Sequence, residues 1–238
     1  MAVNTALVHA LRSSFAAQAD AANAPAMQAY MKSALPFWGI PAPLRRTLTA
    51  AAVKAYPCAD AAALHDTIAA LWREASRREE RYAAQELART GTPHRRLRGL
   101  HLLPLYEEMI VSGAWWDFCD DISAEAIGPL LVAQPAALRP VLQRWSTGPD
   151  LWLRRAAILC QRKLKGPDFD ARLLYACIRP SIGSSPFNRE FFIRKGIGWA
   201  LRERAYAAPD EVRAFCAEYD EQLAPLTKRE ALRVIERR

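Results

Sequence analysis

The 238-residue chain carries 33 lysines and arginines against 25 acidic residues, a formal charge of +8, and 51% of it is hydrophobic. That length suits one elongated domain or one repeat array spanning 1–238, and the basic balance favours a polyanionic partner over a basic or neutral one. No stretch approaches the roughly 18 apolar residues of a membrane span, and the N-terminus lacks a basic start followed by an apolar block, so neither membrane insertion nor secretion is expected. Five cysteines (Cys58, Cys119, Cys160, Cys177 and Cys216) are odd in number, widely spaced and without a C-x-x-C pair. They read as reduced core thiols of a cytoplasmic protein.

Alanine, leucine and arginine dominate, glycine numbers only 10, and no stretch alternates with period two, so the spacing predicts an all-α chain. Prolines punctuate it. In chain order, helices are expected over 3–19, 23–34, 42–56, 60–74, 77–90 and 95–111, the last bent at Pro104. Further helices are expected over 114–121, 124–133, 136–146, 150–165, 169–178, 188–206, 209–221 and 226–237. So many helices with such short connections suggest stacked antiparallel pairs.

An internal echo supports stacking. Trp152-Leu-Arg-Arg-Ala-Ala-Ile-Leu and Phe192-Ile-Arg-Lys-Gly-Ile-Gly-Trp repeat an aromatic, an aliphatic, two basic and then small residues, 40 positions apart. A weaker copy starts at Arg81. A period near 40 in a helical chain marks HEAT or armadillo-like repeats, which form curved solenoids whose inner helices line a concave groove. The echo predicts that Arg154-Arg155 and Arg194-Lys195 recur along one basic surface.

The most telling segment is Trp115-Trp-Asp-Phe-Cys-Asp-Asp. On a helix, Trp116 and Asp120 share a face, setting an indole beside a carboxylate, an arrangement suited to a cation. The alternative is a pair of core tryptophans with a solvated acidic face, which must hold for at least one of the two indoles. Trp199 sits among Gly196 and Gly198 in an otherwise strong helix; close helix packing explains the glycines, and so does the approach of a ligand or nucleic-acid backbone. Trp38, Trp72, Trp145 and Trp152 are assigned to the core. His9, His65, His94 and His101 have no ligand spacing, so no metal is expected. The sequence also lacks a nucleophile elbow, a phosphate-binding glycine loop and a dinucleotide fingerprint.

Trp115-Trp-Asp-Phe-Cys-Asp, Trp152-Leu-Arg-Arg-Ala-Ala-Ile and Glu190-Phe-Phe-Ile-Arg-Lys-Gly-Ile-Gly-Trp-Ala-Leu-Arg-Glu together resemble the bacterial DNA alkylation repair enzymes, the alkylpurine DNA glycosylases built from HEAT-like repeats. The resemblance runs from Met27-Gln-Ala-Tyr-Met-Lys and Phe37-Trp-Gly-Ile to Leu223-Ala-Pro-Leu-Thr-Lys-Arg-Glu-Ala. It implies a curved right-handed solenoid with a concave basic groove, acting as a monomer without cofactor on double-stranded DNA that contains N3- or N7-alkylated purines. By position, Asp120 matches the catalytic carboxylate and Trp116 and Trp199 the aromatics at the lesion. Arg155 matches a basic residue of the same cleft and Tyr30 an aromatic near the N-terminal side of the groove. Arg202, then Arg194 and Lys195, are the further candidates for DNA phosphates. Phe118-Cys119 is bulkier and softer than the motif usually carries, and Gly196 stands where alanine is typical.

The chemistry implied needs the Asp120 carboxyl to face the electropositive cavity without being locked into an internal ion pair. Two other readings stay open: a helical scaffold that grips damaged or structured DNA without cutting a bond, and a protein-interaction scaffold indifferent to lesions.

Overall fold

The computed structural model describes residues 3–89 and 93–236, and in them the chain is all-α, with fourteen α-helices and no strand. The chain divides into two compact units, residues 1–105 and 106–238. Among the described residues, no helix is long and apolar enough to cross a membrane.

The N-terminal unit holds α1 (Thr5–Ala17), α2 (Ala24–Met31), α3 (Ala42–Ala55), α4 (Ala61–Arg73) and α5 (Arg78–Ala88). Helix α1 starts where the Asn4 side chain accepts from the Leu7 amide, and α4 where Asp60 accepts from Ala63, each satisfying an orphan donor of the first turn. Leu7, Leu11, Phe15, Leu64, Ile68 and Leu71 fill the core between them. One buried carboxylate fixes the connection between α2 and α3: Glu79 of α5 accepts from the amides of Trp38, Gly39 and Ile40. Trp72 joins the core as expected, whereas Trp38 is half-buried with the Arg77 guanidinium 4.9 Å from its ring.

The helix expected over 95–111 is broken. Two 3-10 turns, Pro93–Leu97 and Leu100–Leu102, flank Gly99, and only then does α6 (Leu103–Gly113) begin. The expected helix ends at Thr90 and Arg237 lie outside the described residues.

The C-terminal unit contains α7 (Trp116–Ile122), α8 (Gly128–Ala133), α9 (Pro135–Thr147), α10 (Leu151–Leu159), α11 (Ala171–Ile178), α12 (Phe191–Ala205), α13 (Pro209–Glu218) and α14 (Pro225–Leu232). Helices α7 and α8, expected to be separate, run on through a wider π turn at Ser123–Ile127, where the Gly128 amide donates to the Ser123 carbonyl. That register tolerates Pro129, which has no amide to offer.

Alternate helices pack side by side: α7 on α10, α10 on α12, and α12 on α14 form one layer, while α9 packs on α11 behind it. The 40-residue echo is therefore a structural one, because the equivalent residues Trp152 and Phe192 touch, with ring centroids 5.0 Å apart. Trp115 completes that aromatic cluster, 5.4 Å from Phe192 and 6.3 Å from Trp152. Trp145 is buried, and Trp152 is half-buried instead of fully enclosed. All five cysteines are buried.

Candidate functional site

Every residue of the candidate site comes from the α7–α10–α12–α14 layer. Before α7 the chain turns sharply at Ala114, whose φ of 41° lies in the left-handed region, and Trp115 then caps the helix in extended conformation. Neighbouring residues at a helix start point in different directions. Trp115 thus enters the aromatic cluster, and Trp116 turns to a cavity of about 260 Å³. Trp116, Asp120, Arg155, Phe191, Phe192, Lys195, Trp199, Arg202 and Glu230 line it.

Asp120 sits one turn beyond Trp116, nearly buried, and its carboxylate meets Arg155 of α10 in a fork-to-fork pair. Nε donates to Oδ1 at 2.7 Å and Nη2 to Oδ2 at 2.8 Å, while Nη1 donates to the Phe192 carbonyl. The requirement drawn from the sequence is met in one half and overturned in the other: the carboxyl lines the cavity, yet it is held in an internal ion pair. The partner, Arg155, is 35 positions away on another helix, which no local pattern in the sequence could indicate. Each carboxylate oxygen gives one lone pair to the guanidinium and keeps another available. Burial pushes the Asp120 carboxyl above its ordinary value, opposed by the bonds and charge of Arg155. Arg155 is held more firmly protonated than usual: burial works against its charge, and Asp120 outweighs it.

Gly196 leaves room for the Arg155 guanidinium beside α12. A Cβ there would stand 3.0 Å from Nη1 of Arg155. Gly198 serves close helix packing instead, since a Cβ would lie 2.6 Å from Cβ of Glu230 and 3.1 Å from the Thr227 carbonyl of α14. Neither glycine is explained by a ligand approaching Trp199.

Trp199 is half-buried on the cavity wall; its Nε1 donates to Glu203 at 3.0 Å, and the Arg162 guanidinium lies 4.2 Å from its ring centroid. Lys195 and Arg202 both reach Glu230, at 2.9 Å to Oε1 and 2.6 Å to Oε2. Those bonds hold Glu230 below its ordinary carboxyl value, the Lys195 bond contributing most and burial opposing.

The expectation that Arg154-Arg155 and Arg194-Lys195 recur along one surface is corrected here. Arg194 is not among the cavity's lining residues; its Nε donates to the Asn188 carbonyl at 2.6 Å. Arg154 does not share a basic surface with Arg155, because it is buried on carbonyls of Ser146, Thr147, Gly148 and Pro180. A basic pair on adjacent helical positions diverges by about 100°, and here one member is structural. Tyr30, on α2 of the N-terminal unit, is 75% exposed.

Sequence reasoning missed Glu230, Phe191, Phe192 and Arg162. Arg162 lies seven positions after Arg155, a same-face spacing that could have flagged it. Nothing local to Glu230 sets it apart from a solvated acid.

The family model described as DNA alkylation repair enzyme matches residues 11–235. The chain belongs to the DNA alkylation repair enzyme family. Among solved structures, it resembles a predicted DNA alkylation repair enzyme from Enterococcus faecalis, at 28% identity over 90% of this chain and 95% of that one, with a TM-score of 0.78. No curated protein matches. The cavity joins two indoles, two carboxylates and three cations.

Proposed function

We propose that this protein is a monofunctional alkylpurine DNA glycosylase, hydrolysing the N-glycosidic bond of N3- or N7-alkylated purines in duplex DNA. The observation that carries the reading is the meeting of Asp120, Trp116 and Trp199 on one cavity wall with Arg155 behind the carboxylate. The cavity, about 260 Å³, is near the small end for ligand sites, enough for a nucleotide fragment and not for a large metabolite.

Alkylation at N3 or N7 gives the purine a formal positive charge, so the base departs neutral and needs no general acid. Charge then develops at C1′ as the bond lengthens. Asp120 stabilises that charge and orients the attacking water through the oxygen lone pairs that Arg155 leaves available. The ion pair weakens this effect without cancelling it. At an effective dielectric of about 20, a carboxylate about 3.5 Å from C1′ contributes about 5 kcal/mol, and a guanidinium about 7 Å away offsets about half of that. The remaining roughly 2 kcal/mol corresponds to about thirty-fold in rate. Arg155 in return fixes the carboxylate's direction and opposes its protonation by burial.

Indole faces attract cations, worth roughly 0.5 to 2 kcal/mol, which favours a charged lesion over a neutral purine. Trp116 supplies this attraction most directly, since Arg162 already lies over the ring of Trp199. Lys195 and Arg202 meet the phosphates flanking the lesion, and the base is engaged from the backbone side with little enclosure.

Incubation with duplex DNA containing N-methylpurines, followed by chromatography of released bases and a strand-scission assay, tests the proposal. Free methylated base and an intact abasic strand are expected; unreleased base sinks it. One observation favours the second reading, a non-catalytic DNA binder: the carboxylate is already neutralised by Arg155. Asp120→Asn separates the two, because a glycosylase loses at least about 100-fold in base release when a preorganised charge is removed, whereas a binder keeps its affinity and has no activity to lose.

A further inference from the structure

Glu230 reaches the cavity from α14, a helix that supplies no other lining residue. Its placement is built, not incidental. Gly198 lets α14 lie so close to α12 that a Cβ at position 198 would stand 2.6 Å from that of Glu230, and Thr227 Oγ1 donates to the Arg194 carbonyl at 3.2 Å, tying the same turn down. The carboxylate then spans two cations, one oxygen on Lys195 and the other on Arg202. Only 14% of its side chain is exposed, against 40% for Lys195 and 20% for Arg202. With one oxygen on each of two cations, the carboxylate stands where the two non-bridging oxygens of a bound phosphodiester would lie.

We infer that Glu230 is a specificity-determining residue that occupies the Lys195–Arg202 phosphate site in the free protein and admits a DNA backbone only when the nucleotide entering the cavity is itself positively charged. The inference rests on the reading that DNA enters this cavity. A phosphate that takes Lys195 and Arg202 leaves Glu230 a largely buried carboxylate without its cations, a costly state. A cationic alkylpurine in the same cavity replaces the missing charge, and a neutral purine does not. Selection for charge is therefore divided between attraction to Trp116 and this exchange of partners at Glu230, in which no bond is made or broken.

Two 25-mer duplexes serve as probes, one bearing a 2′-fluorinated 7-methylguanine nucleotide, which keeps its positive charge and resists base loss, the other its neutral guanine parent. The quantity read is the ratio of their dissociation constants. Glu230→Gln keeps shape and removes the charge, so it is expected to tighten the neutral duplex about fivefold, the scale of a partly exposed ion pair, and to shrink the ratio by the same factor. Lys195→Gln acts from the other side: it leaves Glu230 one cation short and is expected to widen the ratio while weakening both duplexes. A merely structural role for Glu230 would move both affinities together and leave the ratio alone. An unchanged ratio in Glu230→Gln overturns the inference, and so does a ratio that falls in Lys195→Gln. Should Glu230→Gln melt markedly lower than the parent, the Lys195→Gln result decides. Base release from ordinary N-methylpurine DNA is followed in parallel, so that a protein which binds selectively but releases nothing defeats the glycosylase reading and not this one.

Discussion

Gly198 of α12 and Glu230 of α14 approach so closely that a Cβ at position 198 would stand 2.6 Å from the glutamate Cβ. The obstacle is not the far end of a flexible chain but an atom fixed to a helix, with the Thr227 carbonyl 3.1 Å away on the other side. Closeness of this kind sets both the packing of α14 and the position of a cavity carboxylate.

Gly198→Ala therefore separates α12 from α14. The substitution gains about 1 kcal/mol of helix propensity and loses about 1–3 kcal/mol to overpacking. The expected net is a loss of up to about 2 kcal/mol in urea denaturation, together with a rise in affinity for undamaged duplex as Glu230 is drawn off its cations. A variant as stable as the parent would mean that α14 shifts freely.

Arg154 carries a second prediction, on stability alone. Its guanidinium reaches four backbone carbonyls between α9 and α10 and after α11, and stacks 3.9 Å from the Phe187 ring centroid. Removing it strands several partly buried acceptors, each worth about 1 kcal/mol or more. Arg154→Ala is expected to cost about 3 kcal/mol, or about 6–12 °C in melting temperature for a chain this long. Arg154→Lys should recover little, because an ammonium cannot span the same fork of acceptors. A lysine variant that melts like the parent contradicts this account.

The contrast between Arg154 and Arg155 shows where the sequence was legible. Helix content and most helix limits followed from alanine and leucine frequency and from proline placement, and the 40-residue echo marked Trp152 and Phe192 as equivalent positions, which the structure packs together. Trp116, Asp120, Trp199, Lys195 and Arg202 line one cavity. What a local pattern cannot carry is the partner of a charge: Arg155 pairs with a residue 35 positions away, Arg202 with one 28 positions away, and Arg154 with carbonyls that have no sequence signature. The break near Gly99 and the π turn before Gly128 were missed for a related reason. Both depend on which amide finds which carbonyl, and side-chain periodicity hardly registers that.

Base release should follow the ionisation of Asp120. Burial raises that carboxyl and Arg155 opposes the rise, so activity is expected to fall on the acid side through a value above the ordinary carboxylate range. Arg155→Lys gives up the bidentate geometry and part of the opposing effect. Its acid limb should move to higher pH, with activity at neutral pH down about tenfold or more. A pH–rate profile of kcat/KM checks both, and an acid limb unmoved by the substitution would show that another group controls it.

Stability in acid should respond to a different pair. Arg204 of α12 donates from Nε to Oε1 of Glu211 at 3.1 Å and from Nη2 to Oε2 at 2.5 Å, and Tyr175 Oη donates to Oε1 at 2.6 Å. The Arg204 bonds hold the Glu211 carboxyl below its ordinary value, with burial opposing and Tyr175 assisting. A carboxyl depressed in the folded state binds its proton more readily once unfolded, so the stabilisation is complete above the unfolded value and disappears as pH falls through the folded one. Glu211→Gln should accordingly melt below the parent at about pH 7, and the gap should narrow through about pH 4 and close where both proteins carry an uncharged side chain. The cavity carboxylate Asp120 has the opposite sign, raised in the folded state, so Asp120→Asn should show no such closing gap. Thermal melts of the three proteins across that range distinguish the two behaviours, and a Glu211→Gln gap that stays constant into acid would remove the Arg204–Glu211 pair as its cause.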